Sequence, residues 1–410
     1  MATCIVLTLS IIWVQFVNES DTLVQEAIEN VGKDLRYVDV YRTADKLSEN
    51  LKYMLIWSGA ENAPLSYFGT GQRRFIEKNC TNINCYVTTD RSFFNGDTTK
   101  FDAIAFDGRT IAKMMKSQLP KRRSQHQKFI YFNMESADNY PLCSAYFDDF
   151  FNWTATYRLD SDIPLPYIQI RDKNGKVVGP KKDMKWEDMG FFKDEELELL
   201  KQNKTKAVAW FVSNCETRSS REKYAFKLKN ALYSFGFSVD IYGKCGPFKC
   251  PRHKENTCFS LLERDYAFYL SFENSFAEDY VTEKILTALQ HKAVPIVRGG
   301  ANYSRFLPPG SYFDASKLTP YVMASKIVHV MTNTKYYSEF FRWWSHYSYR
   351  DPSQSDNICA QLLVFLHTMP SPHRRHADAA QLLCRYESPE ARHCAAPSPP
   401  PRAFASFPAV

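Results

Sequence analysis

Short apolar runs bounded by polar turn residues recur along the chain, and their spacing predicts strands alternating with helices. Tyr53-Met-Leu-Ile-Trp57 is an unbroken apolar run followed by Ser-Gly, the pattern of a strand buried on both faces. Similar runs follow at Cys85 to Thr88, Asp102 to Phe106 and Lys128 to Phe132, separated by polar, helix-compatible stretches such as Gly108 to Gln118. A second series opens at Ala207-Val-Ala-Trp-Phe-Val-Ser213. In Arg218 to Tyr233, Tyr224, Leu228 and Leu232 recur at helical spacing, and strand-like Ser238 to Tyr242, Ala267 to Phe272 and Ala293 to Arg298 frame a helix over about Tyr280 to Gln290. This alternation implies α/β lobes built on parallel sheets. Phosphates in such lobes sit beyond the carboxyl ends of the strands, often at helix N-termini.

The pattern lapses elsewhere. Residues 1–18 are apolar but too short for a bilayer span of ~20 residues, which reads as a signal segment or a partial signal anchor, with a first strand as the other reading. Residues 19–52 are polar with scattered apolar positions and read as a stem. The first lobe then occupies 53–195 and the second 196–368, in keeping with a 410-residue chain and domains of ~150 residues. Residues 369–410 turn to Pro, Ala, Arg and His, a low-complexity tail expected to be disordered.

Composition narrows the function. A net charge of +7 arises from 52 basic and 45 acidic residues with no long basic run, which argues against nucleic acid and suits, at most, an anionic small substrate. The eleven cysteines form no paired CxxC motifs beside histidines, so disulfides are favoured over zinc. Sequons at Asn18, Asn79, Asn152, Asn203 and Asn302 fit a lumenal glycoprotein. Neither GxGxxG nor GxxxxGKS occurs, so the lobes are not ordinary dinucleotide or P-loop domains.

The chemistry concentrates in Phe268-Tyr-Leu-Ser-Phe-Glu-Asn-Ser275 and Asp279-Tyr-Val-Thr-Glu-Lys284. Here a strand ends in an acidic, amide-bearing loop and a helix follows at once. On one face of that helix Tyr280, Glu283 and Lys284 come together. Its N-terminus and the Lys284 charge would hold a pyrophosphate, with Glu283 accepting from ribose or sugar hydroxyls. A surface Glu-Lys pair on an amphipathic helix is the plainer alternative.

Phe272-Glu-Asn-Ser275 with Tyr280-Val-Thr-Glu-Lys284 resembles the signature of the α1,3/1,4-fucosyltransferases, glycosyltransferase family 10. Three more blocks resemble the family in the right order. They are Phe132-Asn-Met-Glu-Ser136 with Phe151-Asn-Trp-Thr154 and Tyr157 to Pro164; Phe211-Val-Ser-Asn-Cys215 with Ser220-Arg-Glu-Lys-Tyr224; and Gly299-Gly300 through Tyr312. The resemblance implies a GT-B fold, two Rossmann-like lobes facing a cleft, with GDP-fucose on the second. It implies an inverting transfer of fucose to an N-acetylglucosamine residue of an N-glycan core or a lactosamine antenna. An inactive paralogue that binds nucleotide-sugar or glycan without turnover is the rival reading.

By the same resemblance Glu135 is the base that takes the acceptor proton, a task helped by a pKa near the working pH. Arg221 and Lys284 face the diphosphate, where fixed positive charge stabilises the leaving group. Ser213, Asn214, Asn274 and Tyr280 supply hydrogen bonds to the donor, and Arg218 is expected to be a solvated helix residue. Asp160-Ser-Asp162 is not taken as a metal motif. No cofactor is required, with stimulation by a divalent cation such as Mn left open and no ligand named. The implied setting is the Golgi membrane, the chain being a type II single-pass protein with a lumenal catalytic domain. Two departures stand out. Phe106-Asp-Gly-Arg-Thr110 replaces the His-His-Arg-Asp/Glu motif linked to acceptor choice in vertebrate Lewis-type enzymes, and Leu362 stands where a C-terminal CxxC begun at Cys359 needs its second cysteine.

Overall fold

The computed structural model describes residues 51–78, 80, 84–190, 204–251 and 255–352. The apolar N-terminal segment, nearly all of the stem, the Cys359/Leu362 departure and the C-terminal tail lie outside the described residues.

The first lobe is built on β1 (Lys52–Ser58), β2 (Cys85–Thr88), β3 (Ala103–Asp107), β4 (Lys128–Asn133), β5 (Trp153–Thr156) and β6 (Ile163–Pro164). They form a parallel sheet in the order β2-β1-β3-β4-β5-β6. The continuous apolar runs are explained by burial on both faces: Tyr53, Leu55, Ile104 and Phe106 pack into one core, and Met54, Ile56, Ala103 and Ala105 into another. Helices here are short. The helix-compatible stretch from Gly108 yields only Gly108–Ile111 and a 3₁₀ turn at Lys116–Gln118, and among the described residues of this lobe Arg73–Glu77 is the other α-helix. These are α1 (Arg73–Glu77) and α2 (Gly108–Ile111). The Asp107 carboxylate caps α2 by accepting from the Thr110 amide at 2.9 Å.

The second lobe carries β9 (Lys206–Phe211), β10 (Val239–Tyr242), β11 (Tyr266–Phe272), β12 (Val294–Arg298) and β13 (Phe313–Asp314), parallel in the order β10-β9-β11-β12-β13. Its helices include α3 (Arg221–Tyr233), α4 (Glu255–Asp265), α5 (Lys284–Gln290) and α6 (Pro320–Met331). Leu228 and Leu232 of α3 meet Ala324 and Ile327 of α6 in the main core, as the helical spacing predicts. Two predicted helix starts move. α3 begins at Arg221, after Ser220 takes a left-handed φ of 47°. α5 begins at Lys284 because Asp279, at φ 58°, turns the chain first, so Tyr280 does not share a helical face with Glu283 and Lys284.

Beside the two parallel sheets there is a small antiparallel sheet that the apolar runs do not reveal. β7 (Gln169–Asp172) pairs with β8 (Val177–Gly179) on one side and with β14 (Tyr347–Arg350) on the other. Ile168 and Ile170 pack with Ile285 and Leu286 of α5, so this segment is buried against the second lobe.

Disulfide Cys215–Cys245 ties two loops of the second lobe and Cys250–Cys258 ties a loop to α4, and Cys80 and Cys143 are disulfide-bonded as well. Cys85 is a free, buried thiol, pushed up to about 12 by desolvation and the Asp102 charge.

Candidate active site

In both parallel sheets the strand order reverses beside the first strand, and an open α/β sheet takes ligands in that crevice, beyond the carboxyl ends of its strands. In the second lobe the crevice lies between β9 and β11. Ser213 and Asn214 leave β9 there, both exposed, and Asn274 leaves β11 half-buried. Arg221, 5% exposed, joins the two exits. Its Nη1 donates to the Phe272 carbonyl at 2.6 Å and its Nη2 to the Asn214 carbonyl at 3.3 Å, while its buried Nε has no partner. Burial pulls its pKa down, although an arginine remains charged. The Ser219 amide donates to the Asn274 carbonyl at 3.2 Å. Ser213, Asn214, Arg221 and Asn274 thus form one group.

A second group sits where the lobes meet. Glu135, just past β4, accepts from the Tyr280 hydroxyl at 3.2 Å, so a first-lobe carboxylate and a second-lobe phenol share the cleft. It caps no helix: its own amide donates to Asn133 Oδ1 at 3.0 Å. The Tyr280 ring packs edge-on against Tyr157, 4.9 Å between centroids, and against Tyr167. Burial first, then the Tyr167 phenol and nearby carboxylates, pushes the Tyr280 pKa up, so it stays a donor.

Lys284 differs from the expected free cation. Its Nζ donates to Glu273 Oε2 at 3.0 Å, Thr282 Oγ1 at 2.5 Å and Glu283 Oε1 at 3.3 Å. Burial pulls the ammonium down, but the Glu273 and Glu283 charges outweigh it and the net direction is up. Glu273, 1% exposed, also accepts from the Thr282 amide at 2.9 Å, so the entry to α5 is occupied by this chain's own carboxylate. Desolvation pushes the Glu273 carboxyl up. Glu283 stays exposed beside Lys284.

The expectation for Arg218 also changes. It lies before α3, and its Nη1 meets Asp138 Oδ1 of the first lobe at 3.1 Å. Asp160 accepts two hydrogen bonds from Arg158, at 2.8 and 2.7 Å, and Asp162 accepts from the Thr154 amide at 2.8 Å, so both are committed to the scaffold. Among the described residues no group of three His, Cys, Asp or Glu side chains could hold a metal ion.

Below Glu135 opens a cavity of about 630 Å³. Tyr67, Arg109, Glu135, Tyr167 and Lys181 line it with apolar residues of the 163–168 segment, and Glu283 closes it from the second lobe. Arg109 belongs to the Phe106–Thr110 departure, and its Nε stands 3.8 Å from Asp107 Oδ2.

Sequence reasoning missed Glu273, although it sits inside a quoted motif, as an acid directly after an all-apolar strand. The roles of Tyr157, Ser136 and Ser275 were likewise not assigned although quoted blocks contain them, because the Ser136–Ser275 and Tyr157–Tyr280 contacts between the lobes join residues remote in sequence; Tyr167 lies outside every quoted block.

Residues 49–168 match the family description "Fucosyltransferase, N-terminal", and residues 201–376 match "Glycosyltransferase family 10 (fucosyltransferase) C-term". The chain is 35% identical over 338 residues to alpha-(1,3)-fucosyltransferase C of Drosophila melanogaster, covering 81% of this chain and 75% of that protein. It is 32% identical over 304 residues to a 4-galactosyl-N-acetylglucosaminide 3-alpha-L-fucosyltransferase of Pan troglodytes, covering 72% and 74%. A crystal structure of an alpha1,3-fucosyltransferase with GDP-fucose aligns with a TM-score of 0.47 at 16% identity, over 80% of this chain and 96% of that one. Two parallel α/β lobes around a cleft are the GT-B arrangement.

Proposed function

The chain belongs to glycosyltransferase family 10, the fucosyltransferases, and from that membership we propose that it is an inverting α1,3-fucosyltransferase acting on an N-acetylglucosamine residue. Its donor is GDP-fucose, and its acceptor an N-glycan core or a lactosamine antenna. In the step, the acceptor oxygen attacks the anomeric carbon of fucose. The bond from that carbon to the β-phosphate oxygen breaks, its electron pair leaves with GDP, and the acceptor proton passes to Glu135.

The observation that supports this most is Glu135 itself, held by Tyr280 at the mouth of a cavity large enough for an acceptor sugar. Arg221 and Lys284 balance the charge that grows on the diphosphate. A phosphate oxygen reaching Lys284 would displace exposed Glu283, the longest of its contacts, and free that carboxylate for a sugar hydroxyl. Ser213, Asn214 and Asn274 hold the donor at the strand exits. No resident metal is invoked, because cations of the protein perform that work.

The proposed setting is the Golgi lumen, from a type II membrane anchor. Disulfides such as Cys215–Cys245 support an oxidising compartment. No helix among the described residues is long and apolar enough to cross a membrane.

The test is transfer of labelled fucose from GDP-fucose to a core-type and a lactosamine-type acceptor, with products read by mass spectrometry. Transfer to either supports the reading. Folded protein that binds GDP yet transfers to neither would instead be a binding protein.

A further inference from the structure

We propose that Arg298 is a further donor-positioning residue, a cation that binds an oxygen of the nucleoside diphosphate at the cleft edge of β12. This rests on the fucosyltransferase reading above. Arg298 ends β12 in register with Phe272, and its carbonyl accepts from the Glu273 amide at 2.9 Å, which fixes it beside the exit of β11. The side chain is half-buried. Its guanidinium carbon lies 5.2 Å from the centroid of the Tyr224 ring and 5.1 Å from that of Phe276.

No described carboxylate forms an ion pair with this guanidinium, and its Nε is buried without a partner. Asp314, whose charge reaches it, is already engaged by Lys317 at 3.3 Å and by the Ser316 amide at 2.9 Å. Desolvation therefore opposes the charge, and the two rings offset only part of that cost. Buried donors left unmade are expensive, and an anion arriving from the cleft would satisfy them.

Arg221 stands in the same condition. Its guanidinium carbon is 5.7 Å from the Trp210 ring centroid, and its nitrogens meet only backbone carbonyls. The rings of Trp210, Phe272 and Tyr224 run in contact between the two arginines, at centroid spacings of 6.2 and 5.6 Å. Two cations without carboxylates thus bracket the exits of β9, β11 and β12, where a diphosphate leaving group that gains a negative charge as it departs would need them. A purely structural role, clamping Phe276 onto Tyr224, is the competing account.

The experiment measures GDP binding by calorimetry in the full chain, with KM values and apo melting temperatures, for wild type, Arg298→Gln and Arg298→Lys. The proposal expects Arg298→Gln to weaken GDP about tenfold or more, the worth of one charge-assisted hydrogen bond. KM for GDP-fucose should rise with it, KM for acceptor should not, and the salt dependence of GDP affinity should flatten. Arg298→Lys, which keeps the charge but loses the planar fork, should fall between. A folded Arg298→Gln protein with wild-type GDP affinity and a lowered apo melting temperature would establish the clamp and overturn the proposal. If the glutamine variant does not fold, unchanged GDP affinity in Arg298→Lys overturns it equally. Wild type that fails to bind GDP would overturn the donor reading, and this inference with it.

Discussion

Glu135 gains its place from residues that are remote in sequence. Tyr280 holds its Oε2, and Tyr167, which flanks that phenol, donates to the Met134 carbonyl next door. A carboxylate so held keeps one oxygen free to take a proton. Glu135→Gln preserves shape and most hydrogen bonding but removes proton acceptance. Turnover should fall by about 10²–10⁴, the usual contribution of a general base, with GDP affinity and melting temperature near wild type. Near-normal turnover in folded protein would strike Glu135 from the reaction. A sequence can nominate such an acid but not its partners. The motif containing Glu135 resembles the family's base, whereas the Lys284 partner, Glu273, is visible only once Thr282 and Lys284 fold back onto the end of β11.

At the level of elements, periodicity reads well where one environment covers a whole segment. β2 lies where its apolar run predicts, β4 and β11 differ by one residue at one end and β1 by one at each end, because each is buried along nearly all of its length. It reads poorly where tertiary contacts decide. The start of α5 is set by the turn at Asp279, β7 and β8 are short strands with no alternating pattern, and β14 alternates over only the four residues Tyr-Ser-Tyr-Arg, too short a run to stand out. The same turn depends on a close approach by the loop after β12. A Cβ on Gly300 would stand 2.6 Å from the Ala277 amide nitrogen and 3.0 Å from its carbonyl oxygen, both backbone atoms that cannot swing aside. Gly300→Ala should cost about 1–3 kcal/mol, as overpacking does. It should also displace Tyr280 from Glu135, so that a thermal melt and a transfer assay both show loss. A variant as stable and active as wild type would mean that the two loops part easily.

Across the whole molecule, the lobes are joined by a charged network as well as by the Ser136–Ser275 contact. Arg158 of the first lobe meets Asp160 at 2.7 Å and Glu278 of the second at 3.3 Å, and Arg305 meets Glu278 at 3.2 Å and Asp279 at 2.8 Å. Burial pushes the Asp160 carboxyl up, but Arg158 and Lys182 outweigh it and hold it below its ordinary 3.8. A carboxylate depressed in the folded state contributes stability that is full above its unfolded pKa and lost as pH falls through the folded one. Asp160→Asn should therefore destabilise on the order of 3 kcal/mol at pH ~7, as breaking a buried pair does. The gap to wild type should begin to narrow as pH falls below ~3.8 and close only below the lower folded-state pKa, where both proteins carry a neutral group. Denaturant midpoints at the two ends of that range decide it, and a gap independent of pH would rule the ionic account out. Lobe-level organisation was legible from two series of apolar runs; this network was not, because its members are polar residues in loops whose bonded partners lie up to 120 positions apart.

β14 comes from the far end of the described chain, yet it completes a sheet with β7 and β8, which precede the second lobe in sequence. The two halves of the gene are therefore not interchangeable cassettes. A chimaera that grafts a relative's first lobe at a junction near residue 200 would pair a foreign β7 with the resident β14, and would set foreign side chains opposite Ile285 and Leu286 of α5. Recombination that respects the molecule must exchange residues 165–190 and 347–350 as one unit, whichever lobe is being replaced.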